Sequence, residues 1–437
     1  MIDPHGRSVR VTSCPPRGPL RLRPGKAGSA APAGVETPQQ SFAARSSISP
    51  EGPLRQNHAM RNYFIGLMSG TSLDGADGVL VDFSGGSLRV VAAATEPFDD
   101  SFRAELLELN TPTHNELHRA ARAGNHLAAV YARVVYRLLE RAADQGISAA
   151  QIEAIGAHGQ TVRHLPQRTS DEDSGAGYTI QLNNPSLLAE LTGLAVVADF
   201  RGRDVAAGGQ GAPLVPAFHQ SVFGRTDRAV TVLNLGGIAN LSVLPAVGKG
   251  DILGFDCGPG NALMDAWCQQ HTGQPYDAGG AWAASGKLLP ALLTSLQEEP
   301  YFSTPPPKST GRDLFSMAWL AAKLAPFNAE RPQDIQNTLT ELTARSCISC
   351  VSSYGKDSTE LVVCGGGAFN THLMERLQAG LPSMQVGPSD AHGLPPLQVE
   401  AAAFAWLARQ TVSQQPGNLA SVTGAAGPRV LGAIYPA

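Results

Sequence analysis

The stretch that most restricts the fold is residues 66–83, GLMSGTSLDGADGVLVDF, where two apolar runs flank a turn of small, hydroxylated and acidic residues. Short apolar runs bounded by such residues read as strands, so 63–68 and 78–83 are expected to pair as a hairpin. The same design returns at 229–244, AVTVLNLGGIANLSVL, with Gly236 and Gly237 at its turn. Each hairpin is followed by strand and helix patterns. A repeat of this kind predicts an α/β protein with two similar lobes.

Between the hairpins, Leu127, Val130, Tyr131, Val134, Leu138 and Leu139 recur at spacings of three and four, which predicts an amphipathic helix over 117–143 that stops near Gly146. Residues 152–157 and 194–198 read as buried strands that run into GAHGQTVRH and DFRGRDVAAGGQGAPL. Polar groups at the ends of such strands are where α/β proteins place ligands. Further on, 252–256 reads as a strand, Asn261 as a helix start, 335–351 and 399–411 as helices, and 360–364 as a strand entering GGGAFN. The Gly- and Pro-rich stretch 273–313 is expected to be a long functional loop or a cover over a lobe.

Composition narrows the partners. The chain has 437 residues, 43% hydrophobic and 16% charged, enough to bury a sizeable core. A formal charge of −4 gives no basic field for nucleic acid, and no apolar run reaches the roughly 18 residues of a membrane span. A small molecule is the expected partner. Cys347 and Cys350 are spaced C-x-x-C but lack a second ligand pair, so they read as core thiols in a reducing cytoplasm. Residues 1–60 carry Arg7, Arg10, Arg17, Arg21, Arg23, Lys26, Arg45 and Arg55 against Asp3, Glu36 and Glu51, with many prolines and no apolar core for a signal peptide. They read as a disordered tail or as an over-extended start whose initiator is Met60.

Neither G-x-x-x-x-G-K-[ST] nor a strand followed by G-x-G-x-x-G occurs, so phosphate would be held another way. Glycine lets backbone N–H groups converge on an anion, and hydroxyls add donors. Ser69, Gly70, Thr71 and Ser72 fit that task, while Asp74 belongs beside a divalent cation, Mg²⁺ through water. A plain hairpin turn is the competing reading. Gly365, Gly366 and Gly367 would let a flat ring such as adenine lie on the backbone, or simply make a turn. Asp199, Asp204 and Asp256 are the candidates for proton chemistry. Asp256 ends a strand ahead of Gly-Pro-Gly, which suits either a base aimed into a cleft or a cap. His158 reads as a core histidine or a substrate contact, and Arg201, Arg203 and Lys308 could meet an anionic substrate.

Taken together, GLMSGTSLDG, GAHGQTVRH, ADFRGRDVAAGGQGAPLVPAFH, LNLGGIANLS, GFDCGPGNALMDAW, PPKSTGRD and VVCGGGAFN resemble, in order and spacing, the anhydro-N-acetylmuramic acid kinase family. The resemblance runs from about Tyr63 to the C-terminus. It implies a two-lobed actin/hexokinase/Hsp70-like (ribonuclease H-like) α/β fold around a nucleotide cleft, with one lobe over 61–228 joined by 395–437 and the other over 229–394. It implies ATP and Mg²⁺ as cofactors and a cytoplasmic reaction. In that reaction 1,6-anhydro-N-acetylmuramic acid, water and ATP give N-acetylmuramic acid 6-phosphate and ADP during peptidoglycan recycling. Ser69, Gly70, Thr71, Ser72, Leu73, Asp74, Gly75 and Ala76 would form the first phosphate segment, Gly236 and Gly237 the second, and Gly365 to Gly367 the adenosine side. Asp256 would be the base, Glu400 a second water contact, and His158, Gln160, Asp199 and Arg201 the substrate side. Two alternatives stand beside this: a kinase of the same fold for another amino sugar, and a non-catalytic ATP-dependent switch. A homodimer is left open.

Overall fold

The structure is a computed structural model, and it describes residues 62–70, 73–85, 88–166, 177–311 and 314–437. The expectations for residues 1–60, Thr71 and Ser72 fall outside the described residues. The strands are β1 Tyr63–Met68, β2 Gly75–Asp82, β3 Arg89–Pro97, β4 Ile152–Ala157, β5 Gln160–Leu165, β6 Tyr178–Leu182, β7 Val196–Ala198, β8 Ala229–Leu235, β9 Ile238–Leu244, β10 Leu253–Pro259, β11 Ser358–Cys364, β12 Gln385–Pro388 and β13 Ala433–Tyr435.

They build two larger sheets, ordered β13-β7-β4-β1-β2-β3 and β10-β9-β8-β11-β12, and a small ribbon of β5 and β6. In the first sheet β1 runs antiparallel to β2 and β2 to β3, whereas β1, β4 and β7 run parallel. The second repeats the plan: β8, β9 and β10 are successively antiparallel, and β8, β11 and β12 are parallel. Setting β13 aside, both sheets have the order 3-2-1-4-5 counted from their own first strand. The echo between the hairpins is therefore one of topology, and the fold is the ribonuclease H-like α/β arrangement that the sequence led us to expect.

Two local expectations need correction. β2 begins at Gly75 rather than near residue 78, because β3 supplies partners for Gly75 and Ala76 at Pro97 and Glu96, beyond the last β1 pair, Met68 with Asp77. The stretch 273–313 is not a bare loop, since it contains helices Ala281–Ala284 and Pro290–Gln297. Pro290 stands in the first turn of its helix, where its missing N–H costs nothing, and Leu292, Leu293 and Leu296 are buried in the core.

The helix Glu116–Ala143 buries Leu127, Val130, Tyr131, Val134 and Leu138 against the first sheet. A separate apolar cluster joins the two sheets: Phe64, Val79 and Val81 from one, Val230, Val232, Leu244 and Val362 from the other, with Phe404 between them. Phe404 lies on the alanine-rich helix Val399–Val412, whose backbone touches the first sheet. A side chain at Gly66 would start 1.8 Å from the Ala401 carbonyl oxygen, and one at Gly156 only 2.0 Å from that of Phe404. Only glycine lets helix and strands approach so closely, and this contact fixes Glu400 in the helix's first turn.

Candidate active site

The first hairpin turn is held from behind. Ser69 Oγ donates to the Gly159 carbonyl at 3.0 Å and lies 3.0 Å from the Tyr131 hydroxyl, which also accepts from Gly159 N at 3.2 Å. Ser69 is 1% exposed. Its hydroxyl thus departs from the expected role of phosphate donor and anchors the turn to the helix Glu116–Ala143. Leu73, at φ 58°, takes a left-handed conformation that a branched residue adopts only under constraint. Arg103 supplies that constraint through Nε on the Leu73 carbonyl at 3.0 Å, and Leu73 N reaches back to Gly70 O at 3.3 Å. Gly70 and Leu73 are therefore held together at the turn.

Acidic side chains gather beside this turn. Asp77 accepts from Thr95 Oγ1 at 2.7 Å, and burial, together with Asp74, holds its carboxyl above the usual range. Glu400 is raised too, by burial first and then by Asp77 and Asp74, against the opposing pull of Asn234 and Arg201. Asn234 Nδ2, at the end of β8, donates to Glu400 Oε1 at 3.2 Å. One hydrogen bond thus links the second hairpin to the helix seated on the first sheet. Asp77 and Asn234 escaped sequence reasoning. The available signal was a polar residue interrupting an otherwise apolar strand, as in VTVLNL.

The second hairpin turn docks on a helix start. Asn261 N donates to Gly236 O at 2.8 Å, and Gly260 N and Ala262 N donate to Gly237 O at 3.0 and 3.2 Å. Asn261 does precede the helix Ala262–Thr272, but its side chain goes to Leu235 O at 2.9 Å instead of capping. The triple glycine meets the same hairpin. A side chain on Gly365 would start 2.5 Å from Asn234 Oδ1, and one on Gly367 only 2.5 Å from Leu235 Cβ, whereas at Gly366 the nearest atom is 3.7 Å away. Close packing of the protein on itself accounts for two of the three glycines, and a side chain at Gly366 would make only an ordinary contact with Asn261 Nδ2 at 3.7 Å.

Around His158 the groups are buried and polar. Arg201 Nε donates to His158 Nε2 at 3.0 Å, and Arg201 Nη1 to Gly211 O at 2.7 Å. Burial, with Arg201 nearby, pushes His158 down to about 3, so the ring is neutral and its proton sits on Nδ1. Burial also lowers Arg201 to about 10, while Glu400 and Asp204 favour its charge. His158 Nδ1, Gln160 Oε1 and both amide atoms of Asn183 are buried with no hydrogen-bond partner among the described residues. Buried polar atoms are ordinarily paired, so these atoms are candidates for pairing with water or a polar ligand, and Asn183 is one that sequence reasoning missed. Asp199 is exposed, at φ 60°, and accepts from Gly202 N at 3.1 Å. Arg203 is exposed as well. Asp204 corrects an expectation: it is fully buried and accepts from Asn418 Nδ2, Thr423 Oγ1 and Gly211 N at 2.6, 2.8 and 2.8 Å. It ties the C-terminal segment down and is closed to proton chemistry.

Asp256 lies opposite Asn240 in the middle of β10 rather than at a strand end as expected, because pairing with β9 continues past a bulge to Pro259 and Ile238. Thr310 N donates to its Oδ2 at 2.9 Å. Burial pushes its carboxyl up to about 6, against the Thr310 amide and the Lys308 ammonium. A carboxylate with that value is ionised at neutral pH yet basic enough to take a proton. Lys308 was expected near an anionic substrate but stands over the Tyr301 ring, 4.7 Å from its centroid. Cys257 on this strand and Cys347 and Cys350 on the helix Pro332–Tyr354 are buried free thiols. Among the described residues no group of three or more His, Cys, Asp or Glu is arranged to hold a metal, and no helix is long and apolar enough to cross a membrane.

The class follows from this arrangement: a duplicated ribonuclease H-like α/β protein whose two sheets are joined by the helix Val399–Val412, where Glu400 meets Asn234 of the second hairpin and the carboxyls of Asp74 and Asp77 from the first. The family then follows from comparison, for the profile described as anhydro-N-acetylmuramic acid kinase matches residues 62–437, and the chain belongs to that family. A relative of that name from Variovorax paradoxus is 65% identical over 377 residues, covering 86% of this chain and 99% of its own. Another from Albidiferax ferrireducens is 60% identical over 396 residues, covering 86% and 100%. Among solved structures, a 2-hydroxyisocaproyl-CoA dehydratase activator from Clostridium difficile with bound ADPNP overlaps at a TM-score of 0.42 and 14% identity, covering 80% of this chain and 96% of that one. An overlap this loose adds no weight to the family match.

Proposed function

We propose that this protein is an ATP-dependent kinase that opens 1,6-anhydro-N-acetylmuramic acid with water and phosphorylates O6, giving N-acetylmuramic acid 6-phosphate and ADP in cytoplasmic peptidoglycan recycling. Family membership supports the substrate. The observation that carries the chemistry is Asp256, a carboxyl group raised to about 6 and held by one backbone amide in the middle of β10. Asp256 takes a proton from water as the water oxygen attacks the anomeric carbon. The bond from that carbon to O6 breaks, and O6 accepts the γ-phosphoryl group. The carboxylate acts as the base of an inverting glycosidase does, and Glu400 orients the same water. The turn from Gly70 to Ala76 and the Gly236–Gly237 turn position the phosphates, Gly366 lies on the adenosine side, and His158, Gln160, Asn183 and Arg201 face the sugar.

Asp74 lies near enough to Asp77 and Glu400 to help raise both carboxyls. Mg²⁺ would sit beside Asp74 through water, since this ion favours one or two carboxylates plus phosphate oxygens. When bound it neutralises phosphate charge.

Purified protein incubated with ATP, Mg²⁺ and the anhydro-sugar is expected to yield a ring-opened 6-phosphate, detected by mass spectrometry. ADP formed without any sugar phosphate would overturn the reading.

A further inference from the structure

Asp256 is gripped by a single stretch of chain, residues 301–310, at three points. The Tyr301 hydroxyl donates to the Asp256 carbonyl oxygen at 2.8 Å, Asp256 N donates to Lys308 O at 3.2 Å, and Thr310 N donates to Asp256 Oδ2 at 2.9 Å. The stretch is braced across itself, because Lys308 Nζ donates to Tyr301 O at 3.2 Å while lying over that residue's ring. Tyr301 is locked in turn by an edge-on contact with Phe315, centroids 5.7 Å apart. Such a brace restrains both backbone groups of Asp256 and one carboxylate oxygen.

We infer that Tyr301 and Lys308 are positioning residues for Asp256: Tyr301 fixes the strand backbone that aims the carboxylate, and Lys308 holds a cation beside it. The inference rests on the reading of Asp256 as the base and adds the residues through which that base is set. Oriented supporting contacts of this kind decide whether a catalytic group stays within reach of its proton. The titratable and charged groups around Asp256 are Lys308 and Tyr301 from this stretch, Cys257 on its own strand, and Cys347 and Cys350 from the helix Pro332–Tyr354. Lys308 is the named cation that lowers the Asp256 carboxyl, and it also pulls the Cys350 thiol down. A base must be ionised to act, so activity falls as pH drops through the Asp256 value. Removing the Lys308 charge disfavours the ionised form and moves that fall to higher pH.

The test is the pH profile of kcat/KM, which reports the free enzyme's essential base, for wild type, Lys308→Met, Lys308→Arg and Tyr301→Phe. Lys308→Met is expected to move the acidic limb up by about half a pH unit or more, with the loss larger near pH 6 than at pH 8, and Lys308→Arg to restore it. Tyr301→Phe is expected to lower kcat several-fold at all pH values with the KM for ATP unchanged. If Lys308→Met is poorly folded, Lys308→Gln keeps an N–H donor without the charge and gives the same readout. An acidic limb that stays put in the charge-free variant, with kcat lowered evenly, would overturn the inference. Asp256→Asn run alongside separates the two levels: an active Asp256→Asn sinks the reading of the base itself, whereas an inactive one with an unmoved limb sinks only the role of Lys308.

Discussion

The third strands of the two sheets, β3 and β10, hold the same place in the same topology, and each carries a carboxylate, Glu96 near the end of β3 and Asp256 in the middle of β10. Glu96 on β3 lies against Arg133 and Arg137 at 2.8 and 2.5 Å, and the Arg133 hydrogen bond in particular holds its carboxyl below the usual range. Asp256 on β10 is covered by residues 301–310 and pushed up to about 6 by burial, with the Lys308 ammonium as the opposing charge. One carboxylate is committed to an ion pair at the surface and cannot take a proton near neutral pH. The other can. The lesson is that topology supplies the position and the local field decides whether chemistry is available there.

Substitutions can break or sharpen this comparison. The largest effect is expected from Gly66→Val, since any Cβ there would meet the Ala401 carbonyl oxygen at 1.8 Å. It should cost more than about 4 kcal/mol and leave little folded protein by thermal unfolding. Ser69→Ala comes next, because it strips the Tyr131 and Gly159 contacts from the first turn. A loss of about 1–3 kcal/mol is expected by denaturant titration, together with a higher KM for ATP. Gly236→Ala should be the mildest for folding, at about 0.5 kcal/mol or less, because the nearest atom to a new Cβ is 3.7 Å away. If it weakens ATP binding while stability holds, the second turn is a ligand surface and the first a braced one. Equal losses of stability at Ser69 and Gly236 would erase that distinction.

Much of the frame was legible in the sequence, because hairpins, the helix over Glu116–Ala143 and the alanine-rich helix follow from periodicity and turn residues that are local in the chain. What escaped depends on partners remote in sequence. Ser69 reads as a phosphate donor until Tyr131 and Gly159 are placed against it. Asp204 reads as a catalytic acid until Asn418 and Thr423 close over it. Lys308 reads as a substrate cation until it is found braced on Tyr301. Asp77 and Asn183 lay in plain view but carried no motif of their own. The stretch 273–313 was misjudged because proline counted as a loop signal, whereas Pro290 opens a helix.

The central claim is tested most directly by measuring kcat and ATP affinity for Asp256→Asn beside Glu96→Gln, with the anhydro-sugar as acceptor. The account predicts that Asp256→Asn lowers kcat about 10²- to 10⁴-fold while ATP still binds, and that Glu96→Gln stays within about twofold, as expected of an exposed ion pair. An Asp256→Asn enzyme that keeps more than about a tenth of the wild-type kcat would contradict it, because loss of a general base costs at least about 10²-fold.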